Sequence, residues 1–472
     1  MPQATNPTNA RNLDTTQLLN AGITVRTQGQ AEYDEARHLW NGMIDRHPAL
    51  IIQPKNTEEV AEAVKWARAN NQPIAVKGGG HSAPGHSMCD DGVVIDLVNM
   101  QEVTVDPEKK EAWGQGGALL GDLDKATAPH SLVVPAGAIS HTGMGGLVLG
   151  GGFGHIMRKF GLSIDSLLSC EIVLADGTIK TVDKDNDPDL FWALRGGSGN
   201  FGIVTQFHFK CHDFHPDVYL AALVFDLDDA REVAELWREE MAQAPEDFAW
   251  LTFFRGCPDP SLPGFEWIPE DLRGKPILLT PMIWAGDHEE GRAYIEALRN
   301  RIPEPVAATD GVLPYVVVQQ QFDDVFEHGP RHYAKAGFLE EFPDEAIDDV
   351  IEATRNIPHV RCQIEILTLG GAVARVDNDA TAFNHRHAKH PVNILGLWDD
   401  KEDDEKNIAW VRDIYSKLEP HMSGGAYINY FGGDEEGGTA AAYGGTWDRL
   451  VELKERYDPE NVFRFNANIK RK

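Results

Sequence analysis

Within the first 80 residues, two short apolar runs flank one stretch whose apolar residues recur with the periodicity of a helix. Residues 49–53 form an apolar run that predicts a strand, and residues 73–77 form a second one. Between them, apolar residues recur at the spacing of one helix face: Val60, Ala63, Val64 and Ala67. Asn56 or Thr57 is suited to cap this helix. The pattern predicts a β-α-β unit that runs directly into three successive glycines.

Two more glycine clusters follow before residue 215, at 143–154 and 196–202. Glycine is favoured where a backbone turns at positive φ or presses its N–H groups against an anion or a flat ring. One cluster alone would indicate a loop. Three clusters, each next to a predicted strand, indicate a site for a large phosphorylated cofactor.

The pattern changes between residues 216 and 424, where longer helical periods alternate with aromatic strands. The predicted helices span 228–241, 289–299 and 345–355, and the predicted strands include 248–254 and 277–284. This alternation favours an α+β lobe with a mostly antiparallel sheet. After it, residues 424–430 are predicted as a strand and 447–457 as a helix.

Composition and charge exclude several classes of partner. The 472 residues carry 43 Lys and Arg against 74 Asp and Glu, a net charge of −31 that repels nucleic acid and anionic lipid. No run of about 18 apolar residues indicates a membrane span, and the N-terminus lacks an apolar leader. The five cysteines are scattered without CxxC spacing, which favours a reducing compartment. We therefore expect a cytoplasmic protein that binds neither nucleic acid nor membrane; its oligomeric state is left open.

One nucleotide-binding motif is present in the wrong context. Residues 197–202 match GxGxxG, but a helix precedes them and a β-branched strand follows. A dinucleotide fold needs the opposite order, with the glycines between a strand and a helix. The motif therefore does not indicate an NAD-binding domain.

His81 directly follows the first glycine cluster, at a strand end where an imidazole can project toward a bound ring. A single histidine in such a loop is more often an ordinary polar residue. The same interpretation applies to His86, His141 and His155.

Five characteristic segments occur in order along the chain: PIAVKGGGHS (73–82), GMGGLVLGGGFG (143–154), RKFGL (158–162), ALRGGSGNFGIV (193–204) and YDPENVFR (457–464). Through them the chain closely resembles the berberine bridge enzyme-like flavoprotein oxidases of the vanillyl-alcohol oxidase and p-cresol methylhydroxylase superfamily. The resemblance implies a two-lobed α+β FAD-binding fold with an inserted antiparallel-sheet substrate domain. The expected division is 1–215 for the FAD domain, 216–424 for the substrate domain and 425–472 for a segment that completes the FAD domain.

The resemblance also implies how FAD is held. His81 would be joined covalently to the 8α carbon of the flavin. Many relatives add a second bond from a cysteine, but that position is Ile139 here, which implies a monocovalent flavin. Thr142, close to valine in size, stands where a small residue admits oxygen. The remaining expected cofactor-binding residues are Gly78, Gly79, Gly80, Ser82, Gly145 and Gly146 for the pyrophosphate, Gly202 and Val204 for the adenosine half, and Asn468 for the flavin.

For catalysis, the resemblance places a base in the segment Tyr427-Ile-Asn-Tyr430. Tyr430 is the first choice and Tyr427 the second; the alternative is that both tyrosines only pack in the core. A phenol acts as a base near neutral pH only if a neighbour depresses its pKa. Asn393 lies where relatives place an amide or carboxylate that faces the substrate.

The implied function is an FAD-dependent oxidase that takes hydride from an alcohol, sugar lactol or similar C–H donor. Its partners would be the small-molecule substrate and oxygen, which becomes hydrogen peroxide, and no metal is expected. Two alternatives remain open: a flavin dehydrogenase with another electron acceptor, and a catalytically degenerate flavin-binding protein.

Overall fold

The computed structural model describes residues 13–432, 434 and 438–470. The first ten residues, on which the expectation of a missing leader rests, lie outside the described part. Within that part, no helix combines the length and the apolar character that a bilayer crossing requires.

The N-terminal part contains eleven short strands and seven α-helices in the described residues. The strands are β1 (Thr24–Thr27), β2 (Leu50–Gln53), β3 (Ile74–Lys77), β4 (Val93–Asp96), β5 (Val103–Asp106), β6 (Glu111–Gln115), β7 (Leu132–Val133), β8 (Leu167–Val173), β9 (Ile179–Asp183), β10 (Ile203–Lys210) and β11 (His212–Asp213). The helices are α1 (Thr16–Asn20), α2 (Ala31–Arg37), α3 (Thr57–Ala69), α4 (Leu120–Thr127), α5 (Met144–Gly150), α6 (Met157–Phe160) and α7 (Pro188–Leu194).

These strands form two sheets and a small ribbon. The first sheet has the order β1-β2-β4-β3, in which β2 and β3 both run parallel to β4. The second is antiparallel, with the order β5-β6-β10-β8-β9, and β7 pairs with β11. The predicted β-α-β unit is therefore present as β2-α3-β3, with β4 inserted between its two strands.

Helix α3 forms where its cap and its apolar period agree. The Asn56 side chain accepts a hydrogen bond from the backbone N–H of Glu59, so Asn56 is the cap of the two candidates. The four apolar residues of the predicted face are all buried, and Asn71 ends the helix region at a φ of 54°.

Residues 217–398 supply the strands of one large antiparallel sheet. They are β12 (Asp217–Asp226), β13 (Phe248–Trp250), β14 (Thr252–Gly256), β15 (Pro276–Trp284), β16 (Ala307–Pro314), β17 (Arg331–Leu339), β18 (Gln363–Ile366) and β19 (His390–Trp398). Their order is β16-β12-β15-β14-β18-β19-β17, with β13 also on β15. The run 248–254, predicted as one strand, is broken at Leu251 into β13 and β14.

The helices of this region are α8 (Ala230–Met241), α9 (His288–Arg299), α10 (Tyr315–Val318), α11 (Asp344–Arg355), α12 (Ala372–Arg375) and α13 (Asp404–Leu418). Alternation along the strands divides the sheet into two faces. Ile364, Ile366, Val392 and Ile394 pack toward a core that includes residues of α8, α11 and α13. Glu365 and Asn393 point to the opposite face, toward the glycine-rich loops.

The C-terminal segment returns to the N-terminal sheets. Its helices are α14 (Gly438–Tyr443) and α15 (Trp447–Tyr457), and Phe463 forms a parallel bridge with Ile74 of β3. The Asn200 side chain donates to the carbonyl of Ala467 at 3.0 Å and accepts from the N–H of Ile469 at 3.0 Å. The last residues are thereby held against the third glycine cluster.

The prediction of a strand at 424–430 is wrong. Residues 428–430 form a turn, which the backbone N–H of Tyr430 closes by donating to the carbonyl of Tyr427 at 2.8 Å. Tyr427 stacks on Phe153, with ring centroids 3.7 Å apart. The packing of this turn, and not a pleated strand, buries the aromatic side chains.

All five cysteines are free and buried. Burial raises the pKa of the Cys89 and Cys211 thiols to about 12 and that of Cys257 and Cys362 to about 11. It also raises the pKa of Cys170 far above its ordinary value. Each thiol is therefore protonated across the physiological pH range.

Candidate active site

A deep cavity of about 390 Å³ lies between the inner face of the large sheet and the glycine-rich loops. Residues of β14, β17, β18 and β19 form one wall, and residues from all three glycine clusters form the other. This volume is within the usual range for small-molecule and cofactor sites. The cavity is therefore the place where the glycine-rich loops meet the large sheet.

The glycine-rich wall depends on two loops that touch through their backbones. A Cβ atom on Gly79 would collide with the backbone of Gly143, and one on Gly143 would collide with Gly79. Gly146 and Gly199 also line the cavity, but a Cβ atom on either would meet nothing within 4 Å. The first pair is needed for the close approach of the loops, whereas the second pair borders open space.

Almost all predicted cofactor-binding residues line this cavity. They are Gly78, Gly79, Gly80, His81, Ser82, Thr142, Gly145, Gly146, Gly202 and Val204. Asn468 is the exception, because its amide donates to Asn461 at 2.9 Å and lies outside the lining. Phe463, Phe465, Asn466 and Ala467 line the cavity instead, so the C-terminal segment contributes to the site up to the residue before Asn468.

His81 stands in a cluster of rings at the edge of the cavity. Its Nε2 lies 2.7 Å from His141 Nδ1, and its Nδ1 lies 3.5 Å from the Thr142 hydroxyl. Trp40 stacks on the ring with centroids 5.0 Å apart. Burial, reinforced by His141, His328 and His332, holds the pKa of His81 well below its usual range. The imidazole is therefore neutral, as a nucleophilic nitrogen must be.

Tyr427 uses its hydroxyl to hold the second glycine cluster. The oxygen accepts hydrogen bonds from the N–H of Gly152 at 2.8 Å, the N–H of Phe153 at 3.2 Å and the side chain of Asn429 at 2.8 Å. Burial nevertheless raises the pKa of Tyr427 to about 12. Three donors on one oxygen fix the position of this tyrosine and occupy its acceptor sites.

Tyr430 faces a different partner. Its hydroxyl is hydrogen-bonded to the carboxylate of Glu365, and burial and that carboxylate raise the pKa of Tyr430 well above 10. A phenolic base is expected to have a neighbour that lowers its pKa, whereas the neighbour of Tyr430, Glu365, raises it. The Asn393 amide lies 3.5 Å from Glu365 Oε2, since Glu365 and Asn393 are direct cross-strand partners on β18 and β19.

Glu365 is the functional candidate that sequence reasoning missed. Burial raises the pKa of its carboxyl to about 7, although hydrogen bonds from Asn393 and Tyr430 lower it in part. Asn393 Oδ1 is buried and has no hydrogen-bond partner among the described residues. A carboxyl that titrates near neutrality, a phenol and an unpaired amide oxygen therefore share one corner of the cavity, where they can accept and pass on a proton.

Comparisons with known proteins agree with this geometry. Residues 48–183 match the FAD binding domain family model, and residues 426–470 match the berberine and berberine-like family model. An FAD-linked oxidoreductase of Dictyostelium discoideum is 32% identical over 452 residues, which cover 95% of this chain and 94% of that protein. The chain belongs to the berberine bridge enzyme-like FAD-linked oxidoreductases.

Solved structures confirm the fold of this oxidoreductase. BBE-like 1 of Physcomitrella patens superposes with a TM-score of 0.86 at 24% identity, covering 97% of this chain and 99% of that one. The glucooligosaccharide oxidase of Acremonium strictum, with its 6-S-cysteinyl, 8α-N1-histidyl FAD, has a TM-score of 0.85 at 23% identity and the same coverage. The predicted α+β fold class is therefore confirmed, whereas the domain boundaries stay predictions.

The residues of the oxidoreductase fit FAD. Backbone N–H groups of Gly145 and Gly146 stand in the first turn of α5, where they have no partner within the helix and can meet a phosphate. The open space at Gly146 and Gly199 leaves room for a ligand against both loops. His81 and Tyr430 line the same cavity as these loops.

Proposed function

We propose that this oxidoreductase is an oxidase that removes hydride from the carbon of an alcohol, lactol or similar donor, with oxygen as the electron acceptor. The observation that carries the proposal is the Tyr430–Glu365 pair opposite Asn393, in a cavity that also holds the glycine loops and His81. Bound FAD would accept the hydride and return its two electrons to oxygen, which gives hydrogen peroxide.

We further propose that FAD is attached through His81 alone. The Nδ1 atom of His81 is on the Thr142 side of the ring, and Nδ1 is the N1 atom that the Acremonium strictum enzyme uses for its histidyl bond. The residue that would supply a second bond is Ile139, which lines the cavity. None of the five cysteines, all of which are described, belongs to the lining.

The proton of the substrate hydroxyl would leave through two residues. Tyr430 is too weak an acid to wait as a phenolate, because its pKa lies well above 10. It can still accept the substrate proton on its oxygen while it gives its own proton to the Glu365 carboxylate. Tyr427 is less suited to this task because its oxygen already accepts three hydrogen bonds.

The wall around the proton-transfer pair favours substrates with an apolar body. Leu251, Phe253, Leu367 and Leu395 line the cavity beside Glu365 and Asn393. Such a surface gains little from a fully hydroxylated sugar but buries an aromatic or aliphatic carbon skeleton favourably. Within the proposed class, we therefore place alcohols on apolar skeletons ahead of free sugars.

A substrate screen in air tests the proposal. Benzylic, allylic and aliphatic alcohols are assayed beside mono- and oligosaccharides, with flavin bleaching under anaerobic conditions and peroxide formation in air as separate readouts. We expect an alcohol to bleach the flavin and to yield about one peroxide for each substrate oxidised. Bleaching without peroxide would identify a dehydrogenase, and no bleaching across the panel would favour a flavin-binding protein without this activity.

The pH dependence should report Glu365 directly. Because its carboxyl has a raised pKa of about 7, the carboxylate that receives the proton is lost as pH falls through this range. Anaerobic flavin reduction should therefore be slow at pH 5.5, rise through pH 7 and level off above it. Stopped-flow reduction at saturating substrate measures this limb, and Glu365→Gln should remove it and leave a slow, nearly flat profile. A limb that persists in Glu365→Gln would assign the titration to another group.

A further inference from the structure

We infer that His141 is the positioning residue that prepares His81 for bond formation with the flavin. The inference rests on the histidyl attachment proposed above and adds a role for a second residue. The deciding feature is a chain of two hydrogen bonds that runs from the backbone carbonyl of Asp323 through His141 to His81.

With both rings neutral, the hydrogen-bond chain fixes the tautomer of each ring. The Asp323 carbonyl can only accept, so His141 Nε2, 3.3 Å away, carries a hydrogen. In the neutral ring, Nδ1 of His141 is then the acceptor, and its partner at 2.7 Å, Nε2 of His81, must be the donor. His81 Nδ1 is consequently left with its lone pair free of hydrogen on the Thr142 side. The opposite tautomers would place two acceptors against each other at Asp323.

The position of the Asp323 carbonyl is itself fixed. The Asp323 carboxylate accepts hydrogen bonds from the backbone N–H and the hydroxyl of Ser140, at 2.8 Å and 2.5 Å. Ser140 directly precedes His141 in the chain. Asp323 therefore contacts the two neighbouring residues with its side chain and its backbone, which holds the His141 ring in one orientation.

The attachment step balances with these groups. The bond formed joins His81 Nδ1 to the 8α carbon of FAD, and the bond broken is one C–H of that methyl group. The C–H electron pair would stay on the flavin, which would thereby be reduced by two electrons. Oxygen would take up these two electrons together with two protons, one from the broken C–H bond and one from the imidazole N–H, and leave as hydrogen peroxide. The Nε2 proton of His81 passes to His141 Nδ1, so the same hydrogen bond continues with donor and acceptor exchanged.

His328 offers a matched control. Its ring centroid lies 5.2 Å from those of both His81 and His141. One nitrogen of each of the three rings lies within 4.8 Å of the others, so the cluster could also hold a metal ion. Removing His328 takes away neither hydrogen bond of the chain from Asp323 to His81, but it would disrupt a three-histidine metal site.

The experiment follows covalent attachment and not turnover. The full chain is produced under riboflavin limitation, mixed with FAD in air and quenched with acid at intervals, and flavin fluorescence of the denatured protein is measured. We expect His141→Ala to slow attachment about 10²-fold or more, as the loss of a general base typically does. Added imidazole should restore much of the attachment rate in His141→Ala. His141→Asn, which keeps an acceptor oxygen near the position of Nδ1, should attach flavin at a rate between those of the wild type and His141→Ala. His328→Ala should attach flavin at the wild-type rate.

The outcomes separate this inference from the proposed function. Wild-type protein that never attaches flavin would refute the histidyl bond and the inference together. Wild-type attachment with an equal rate in His141→Ala would overturn the inference alone. A slow His141→Ala that neither imidazole nor the asparagine variant improves would also overturn it, because the ring would then serve packing only. Equal losses of attachment rate in His328→Ala and His141→Ala would overturn the inference in favour of a three-histidine metal site.

Discussion

His81→Ala is expected to abolish covalent flavin completely. His81 is the nucleophile of the proposed bond, Ile139 offers no second one, and no cysteine lines the cavity. The glycine loops remain intact in this variant, so FAD should still bind and then be released when the protein is denatured. Acid precipitation measures this difference: the wild-type precipitate should stay yellow and the His81→Ala precipitate should be colourless.

Mass spectrometry of proteolysed wild-type protein provides the complementary test. We expect one flavin-bearing peptide, which contains His81 and no other modified residue. A flavin on any of the five cysteines would contradict the single attachment. Colour that remains in the His81→Ala precipitate would contradict the histidine assignment itself.

Tyr430→Phe is expected to slow flavin reduction by about 10²- to 10⁴-fold, the usual effect of losing a general base or its relay. The ring and its packing are kept, so flavin content should hardly change. Glu365→Gln should reduce the rate by a similar factor, because the relay then has no carboxylate to receive the proton. The double variant should be little slower than either single one, since the two residues act in one step. Anaerobic stopped-flow reduction with a substrate from the screen measures all three rates.

Tyr427→Phe is the matched control for Tyr430→Phe. It leaves the N–H groups of Gly152 and Phe153 without their acceptor, and unpaired buried donors cost about 1–3 kcal/mol each. We therefore expect a lower melting temperature with a smaller effect on the reduction rate. A nearly unchanged rate in Tyr430→Phe combined with a strongly reduced rate in Tyr427→Phe would transfer the catalytic role to Tyr427.

The parts of the fold that the sequence predicts correctly are those with local causes. Helix α3 has its cap and its apolar face within fourteen residues. The closely spaced glycines of the three clusters likewise predict a ligand-binding surface. The prediction for the segment 424–430 fails because its aromatic side chains are buried by a turn, in which Tyr427 packs against Phe153, a residue far away in the chain. A pattern of burial alone does not distinguish a strand from a turn held by such a contact.

The proton-transfer pair and the histidine chain depend on distant residues, which explains why a single sequence hides them. Glu365 resembles an ordinary polar position in a short strand, and only the register of β18 on β19 places it beside Asn393. His141 resembles a loop histidine, while its partners are 60 and 182 residues away along the chain. A carboxylate inside an otherwise apolar run, IEIL at 364–367, was the one signal available for Glu365.

The burial of the five cysteine thiols has a consequence for an enzyme that produces hydrogen peroxide. Hydrogen peroxide oxidises thiolates and leaves protonated thiols largely alone, and it needs access to the sulfur. Here every cysteine is both protonated and shielded by packing. An enzyme that works in its own oxidant would thus be spared gradual self-inactivation at cysteine.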